Sequence, residues 1–575
     1  MQEIFKKGKK IFLSPQSSVL SAATIIMLMV VASRILGLVR QRVLAHFFTP
    51  DELSLFFAAF RLPDLVFEVL VFGTFSSAFI PVFAKALKRG NKDAWEIAGT
   101  VTNIGLSIFL LLAGIVIVFA NNLYGVLAPG FSIEHREQIV TLARILFAAQ
   151  GFFVVSYVLT AVLESSRRFL VPALAPLLYN IGIILGTVLL APKLNLMAPA
   201  LGVVIGASSH FLIQLPLAIK LGFRFIPRIR ITDEVRKIGK LALPRVIEVS
   251  FLQIARTAEL FLASLISTAS YTYFTFGNTL QLLPVGLFGT SIAKAALPTL
   301  ARQADTPAAF RRTLFGALYQ VSFLVFPIAT VLIVLRIPIV RLVFGTDIFS
   351  WEATVQTSMV VSAFALGVFF QAASSLMARG FYALHDTRTP VAISLGAIIL
   401  NISLDFLLIR GFGLPVWGLA AAFSFSSFFQ ATLLFFFLNK KIDDGVSFKA
   451  VLPIIKAVVS SLGAGAVMYF LLKIFDRSVW IKQLSFLGRM EGVRNIVFEK
   501  FVLDTRYTIN LLILTVFVVF VGGVVYLGLS FMFRSKELAY FTGIIKRTVI
   551  ARKVGGIPEK ETETVAPPPT DSSTP

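Results

Sequence analysis

The sequence predicts an all-α, polytopic membrane protein of about fourteen transmembrane helices, and three observations predict it. Apolar residues fill 57% of the 575 positions and charged residues only 14%, with a mean hydropathy of +0.85, a balance unlike that of water-soluble domains. Runs of roughly 20 apolar residues, enough to cross a hydrocarbon core about 30 Å thick as a helix, recur along almost the whole chain. Strand-type alternation is absent, which argues against a membrane barrel.

The spans are predicted to begin near Val19, Leu53, Ile97, Ile139, Leu170, Met197, Val235, Phe274, Thr313, Trp351, Val391, Val416, Val451 and Ile509. Ahead of the first, residues 1–18 carry Lys6, Lys7, Lys9 and Lys10, as the charged region of a signal peptide does. The apolar run that follows is too long and no small-residue cleavage site closes it, so the segment is expected to be a cytoplasmic leader. Connections alternate in charge. Lys85, Lys88, Arg89 and Lys92 follow the second span, Arg167 and Arg168 the fourth, and Lys220 to Lys240 the sixth, whereas Thr49 to Glu52 and Phe344 to Glu352 are poor in cations. The positive-inside rule then puts both termini in the cytoplasm, in keeping with Arg534, Lys536, Lys546, Arg547, Arg552 and Lys553 after the last span. Asp476 to Tyr507 reads as a mixed, amphipathic connection on the outer face, and Pro558 to Pro575 as a disordered tail rich in Pro, Thr and Ser.

A weak internal repeat sets the domain organisation. Phe72-Gly73-Thr74 with Pro81 echoes Phe288-Gly289-Thr290 with Pro298, and the turn Arg167 to Pro172 echoes Arg388 to Pro390. Six spans separate the copies, so they share an orientation, as in transporters made of two parallel six-helix lobes around a central cavity; chance similarity between apolar segments is the competing explanation. The expected units are residues 1–18, a first lobe over 19–220, a second over 221–440, the two C-terminal helices over 441–535, and a cytoplasmic tail over 536–575.

Several function classes are excluded. The net charge of +23 comes from lysines and arginines in short connections and does not form one basic face, so nucleic acid is not the partner. With no cysteine, disulfides, thiol catalysis and thiolate metal sites are ruled out, and four histidines without ligand spacing offer no metal motif. No Gly-x4-Gly-Lys-Ser/Thr loop binds ATP, so energy must come from an ion gradient, the membrane potential or a partner. Transport, and not enzymatic chemistry, is the expectation.

Charges inside spans are the most informative residues, since each costs at least roughly 2.5–3.5 kcal/mol at a helix centre and must face protein or water. The first span holds Arg34 and Arg40 with no acidic residue near them in sequence, although Arg40 could serve as a snorkelling helix-end residue. In the second, Arg61, Asp64 and Glu68 fall within roughly 60° on one face. Arg245, Glu248, Arg256 and Glu259 project within roughly 80° on the seventh, which should line a cavity; alternatively, Arg245 with Glu248 and Arg256 with Glu259 form structural i,i+3 pairs. Asn401 and Asp405 lie one turn apart on the eleventh, where their oxygens suit a hard cation such as Na⁺ or carry a proton; the alternative is a polar pair near the outer surface. Pro63, Gly73, Pro244, Pro284 and Gly289 allow bending. A cavity lined by arginine suits an anion, above all a phosphate or pyrophosphate gripped through forked hydrogen bonds.

Three segments are familiar: Ser33-Arg34-Ile35-Leu36-Gly37-Leu38-Val39-Arg40, Phe60-Arg61-Leu62-Pro63-Asp64-Leu65, and Gly73 to Phe83. They resemble the N-terminal signature of the MurJ/MviN family of lipid II flippases, within the multidrug/oligosaccharidyl-lipid/polysaccharide exporter superfamily. Weaker similarity runs through Pro172 to Gly186, Leu283 to Pro298 and Gly380 to Pro390, covering most of the chain up to about residue 440. The resemblance implies a bacterial inner-membrane protein of peptidoglycan synthesis that flips undecaprenyl-pyrophosphate-linked disaccharide-pentapeptide outward by alternating access, among membrane lipids and beside other cell-wall synthesis proteins. It implies that Arg34 and Arg40 are cavity arginines, and that Glu259, Asn401 and Asp405 fall where some members hold sodium. It also marks departures. The family's arginine in the middle of helix two is replaced by Phe67 and Glu68, that of helix eight by Thr279, and the acidic residue after the second helix-one arginine by Gln41. Arg245 and Arg256 of the seventh span are expected to restore the lost positive charge, and Arg61 and Glu248 join them as expected substrate-binding residues. Three other functions compete: export of another polyprenyl-linked glycan, cation-coupled multidrug antiport, and a non-transporting scaffold for cell-wall enzymes. An antiporter of organic cations would want carboxylates without arginine beside them, and a scaffold would not need midplane charge.

Overall fold

Four of the described helices open on a hydroxyl side chain that caps the first turn. The computed structural model describes residues 19–72, 79–223, 228–442, 448–476, 503, 505 and 507–543, without the side chains of 19–27, 71–72, 91–92, 243–245, 247–248 and 448–450. The N-terminal leader, Gly73, most of the 476–507 connection and the tail beyond residue 543 therefore lie outside the described residues.

The helices are α1 (Val19–Phe47), α2 (Pro50–Ala59), α3 (Arg61–Phe67), α4 (Ile80–Arg89), α5 (Asn91–Leu127), α6 (Ile133–Ser165), α7 (Leu170–Leu194), α8 (Met197–Lys220) and α9 (Asp233–Ile266). They continue with α10 (Ser270–Pro284), α11 (Ser291–Arg302), α12 (Pro307–Val334), α13 (Arg336–Phe344), α14 (Trp351–Ala383), α15 (Arg388–Phe406), α16 (Trp417–Ile442), α17 (Phe448–Phe475) and α18 (Thr508–Met532). Thr49, Ser132, Thr232 and Ser350 accept the first free backbone N–H groups of α2, α6, α9 and α14. At α2 the cap is reciprocal, with the Glu52 carboxylate accepting from Thr49 N at 2.8 Å and Pro50 in the first turn.

Twelve of the described helices are long and apolar enough to cross a membrane. The first two predicted spans are built differently. The described part of α1 carries Arg34, Arg40 and Arg42. The second span is interrupted at Phe60, between α2 and α3, and passes into a π-helical turn at Glu68–Phe72. Pro63 explains the first break: it has no N–H for the carbonyl of Ala59, and the buried Tyr124 hydroxyl donates to that carbonyl at 2.8 Å. At the spacing of the sequence repeat, Pro284 ends α10 and a second π turn follows at Val285–Thr290; a third, at Leu407–Gly411, continues α15.

Helices α1 and α5–α8 pack among themselves, as do α10, α12 and α14–α16, while α17 and α18 pair with each other and lean on α12. Helices α7 and α8 pack backbone to backbone, where glycines face glycines: a Cβ on Gly182 would sit 2.4 Å from Gly206 Cα, and one on Gly186 2.4 Å from Gly202 Cα. Exposed Leu111, Val118, Phe520 and Phe531 are the lipid-facing counterpart of this packing.

The two sets meet at the end opposite the cationic connections. Thr272 Oγ1 donates to the Pro50 carbonyl at 2.7 Å and lies 2.9 Å from Ser54 Oγ, while Phe57 packs edge-on against Phe276. Arg42 donates to the carbonyl of Leu342 at 2.6 Å, Thr346 Oγ1 to that of Ala45 at 2.6 Å, and Gly130 N to Ser264 Oγ at 3.2 Å.

Candidate functional site

Below this closed end lie two chambers. One, of about 590 Å³, is enclosed by α1, α6, α7, α8 and α10, and Arg34 and Arg40 line it with Glu164, Tyr179 and His210. The other, of about 600 Å³, lies among α9, α10, α14, α15 and α16 and is lined by Arg61, Arg256, Glu259 and Asn401 amid serine, asparagine and glutamine side chains. Leu282 of α10 faces both, so this helix is the partition; Thr279, where the resemblance expects an arginine, sits on the side of Arg34 and Arg40. The arginines of the first and seventh spans therefore line adjoining chambers and not one hollow.

Among the described residues neither Arg34 nor Arg40 has an ion-pair partner, and Arg40 Nε is buried without a hydrogen bond. Arg34 is exposed and Arg40 half-buried, and guanidinium groups without a carboxylate partner offer forked donors to an anion. The opposite holds in the second chamber. Arg61 is buried and donates to Gln253 Oε1, Gln253 Nε2 donates to Glu68 Oε2, and Arg256 Nη1 donates to Glu68 Oε1 and Oε2 at 3.1 and 3.2 Å. This network joins the second span to α9. Arg256 thus pairs with Glu68 across the molecule, and the alternative Arg256–Glu259 pair is not formed.

The face shared by Arg61, Asp64 and Glu68 also divides. Asp64 Oδ1 turns the other way and accepts from Gln150 Nε2 of α6 at 2.6 Å. Arg245 and Glu248 lie on the backbone of α9, with side chains outside the described residues. Asn401 and Asp405 are 5% and 0% exposed, so the pair is enclosed by protein. Asn401 Nδ2 donates to Asp405 Oδ2 at 2.7 Å, leaving Asn401 Oδ1 and Asp405 Oδ1 buried and without hydrogen-bond partners. Asn401 lines the second chamber with Glu259, Asp405 lies one turn further along α15, and an amide and a carboxylate oxygen left without donors are the kind of ligand a hard cation takes. Among the described residues no cluster of three or more His, Cys, Asp or Glu side chains forms a transition-metal site.

Sequence reasoning missed Gln253 and Gln150, which carry the contacts of Arg61, Glu68 and Asp64, because a neutral amide in a span costs less than a charge and draws less attention. It also missed Glu164 and His210. Glu164 lies at the C-terminal end of α6, outside the apolar centre; Ser156 Oγ is 2.6 Å from His210 Nδ1.

Comparison with known proteins follows the same lines. The family profile described as Lipid II flippase MurJ matches residues 43–488. A probable lipid II flippase MurJ of Vibrio cholerae is 31% identical over 432 residues, covering 72% of this chain and 82% of that one, and its counterpart in Haemophilus influenzae is 29% identical over 77% and 90%. A structure of lipid II flippase MurJ in an inward closed conformation superposes with a TM-score of 0.71 at 24% identity, over 89% of this chain and 98% of that one. An inward-facing multidrug resistance transporter of the MATE family gives 0.59 at 13% identity, over 72% and 94%, a likeness of fold alone. With more than half its length matched by one profile and the same relatives in two kinds of comparison, this multi-pass membrane chain belongs to the lipid II flippase MurJ family.

Proposed function

We propose that the protein flips a lipid-linked peptidoglycan precursor, lipid II, across the membrane by alternating access, with Arg34 and Arg40 gripping the pyrophosphate. The observation that carries this reading is the pair of arginines in a cavity among membrane helices, without ion-pair partners among the described residues. A drug or a neutral solute would not require them. The names of the relatives support lipid II as the substrate. Contacts that close one end of the molecule support one state of an alternating cycle.

Arg61 and Arg256 enter this reading as reserve cations. Glu68 occupies Arg256 directly and Arg61 through Gln253, and an arriving diphosphate competes with that carboxylate. Glu259, Asn401 and Asp405 are proposed to bind Na⁺ or carry the coupling proton; a bound cation would supply charge that the paired oxygens of α15 leave uncompensated. The departures at Glu68, Thr279 and Gln41 favour one second reading, export of another polyprenyl-linked glycan.

Binding of purified protein to lipid II against other polyprenyl-pyrophosphate glycans separates the two. Arg34→Ala and Arg40→Ala should each abolish complementation of flippase-depleted cells while the protein remains in the membrane. Full complementation by both variants would remove the proposed role of these arginines.

A further inference from the structure

Away from both chambers, a groove of about 660 Å³ runs between the start of α12 and the chain that follows α18. Arg311, Phe315 and Tyr319 succeed one another at i,i+4 spacing and so form one stripe along α12. The Arg311 guanidinium lies over the Phe315 ring, 5.7 Å from its centroid. Arg312 flanks the stripe and is exposed.

The facing wall is a second helix. After Met532 the chain reverses at Arg534, which takes a left-handed φ of 53°, and residues 536–543 are helical. Phe541 stacks on Phe323 of α12 at 5.6 Å, and Leu538 packs into the same cluster. Those contacts hold the helix back along α12 and leave Lys536 and Tyr540 on the groove. Glu537, which accepts the Ser535 hydroxyl at 2.6 Å, also lines it, so that among the described residues Arg312 and Lys536 share the groove with one carboxylate.

Position decides what such a groove can hold. It lies where α12 begins and α18 has ended, on the end of the molecule that carries the cationic connections. Cations and tyrosines over an apolar floor at a helix end match the membrane–water boundary, where a phosphate head group sits above acyl chains. We infer that this groove is a binding site for the head group of an anionic membrane phospholipid, with Arg312 and Lys536 taking the phosphate and Tyr540 its glycerol edge. Its second wall, Lys536 to Tyr540, lies beyond residues 43–488 that the family profile matches, and the groove is separate from the arginines assigned to the transported lipid.

The test uses the full-length protein in mild detergent, with retained lipid counted by native mass spectrometry. Phosphatidylglycerol should be retained at several-fold lower concentration than phosphatidylcholine, which carries the same phosphate without net charge. Replacing Arg312 and Lys536 with Gln together should cut that retention at least about five-fold, equivalent to about 1 kcal/mol of binding free energy, whereas Arg34→Ala with Arg40→Ala should leave it intact. If the double variant is not monodisperse, Lys536→Gln alone, on an exposed side chain, should still lower retention measurably. Equal retention of the two lipids, or no change in the variants, overturns the inference. So does displacement of the lipid by millimolar inorganic phosphate, which marks a simple anion site. Retention that appears only after removal of residues 557–575 overturns it as well, since the acidic Glu559, Glu561 and Glu563 would then be the occupant.

Discussion

At the scale of single residues, the second and seventh spans are tied by the carboxylate of Glu68. Its pairing with Arg256 is only part-buried, with 42% and 27% of the side chains of Arg256 and Glu68 exposed, so solvent screens it. The buried Arg61–Gln253 link behind it is not screened in that way. Gln253→Ala should therefore destabilise by about 1–3 kcal/mol, the cost of leaving a buried charged donor unsatisfied, and Glu68→Gln by less. Thermal unfolding in detergent checks the order; a larger loss for Glu68→Gln would show that the amide is a bystander. The oxygens of α15 give a second expectation. If they hold Na⁺, exchanging Na⁺ for K⁺ should lower the melting temperature of the native protein and leave that of Asp405→Asn unchanged. Equal sodium dependence in both would discard the site.

Elements pack here by small residues, because lipid offers no hydrophobic force to press helices together. Gly182 and Gly206 bring α7 and α8 so close that any side chain must push backbone apart. Gly182→Leu should cost about 1–3 kcal/mol or more through overpacking, visible as a smaller yield of monodisperse protein, whereas Gly114→Leu, with nothing within 4 Å of its Cβ position, should be tolerated. The short connection between α14 and α15 is held by Asp386, which accepts from Thr389 N at 3.1 Å and from Lys441 Nζ at 2.7 Å. That lysine, with the Thr389 donors, holds its carboxyl at about 2, below the ordinary 3.8. A depressed folded value means the contribution is complete above about pH 4 and fades as pH falls toward 2. Asp386→Asn should thus lower stability slightly at neutral pH, by under about 1 kcal/mol for a pair so near the surface, and the gap between the two proteins should narrow in acid.

The molecule is closed at one end by hydroxyl and carbonyl contacts between α2 and α10, where Ser54 and Thr272 stand 218 positions apart. Alternating access requires those contacts to part. Because the chain has no cysteine, Ser54→Cys with Thr272→Cys introduces a single pair, whose hydroxyl precursors lie 2.9 Å apart. Oxidation should arrest complementation and a reductant restore it; undiminished activity of the cross-linked protein would mean that this end never opens.

What the sequence determined alone follows from solvent and spacing. Lipid demands long apolar helices, so composition and run length were enough for the fold class, and the expense of charge in lipid was enough to single out Arg34, Arg40, Arg61, Arg256, Glu259, Asn401 and Asp405. Periodicity could place Arg61, Asp64 and Glu68 on one face of one helix but could not choose their partners, because a helical wheel contains no second helix. Only tertiary structure sent Glu68 to Arg256 and Asp64 to Gln150, and set α10 as a wall between the arginines of α1 and those of the second chamber. The reason is physical: cost of burial is a property of one residue and its solvent, whereas a partner across the molecule is fixed by how helices distant in sequence pack.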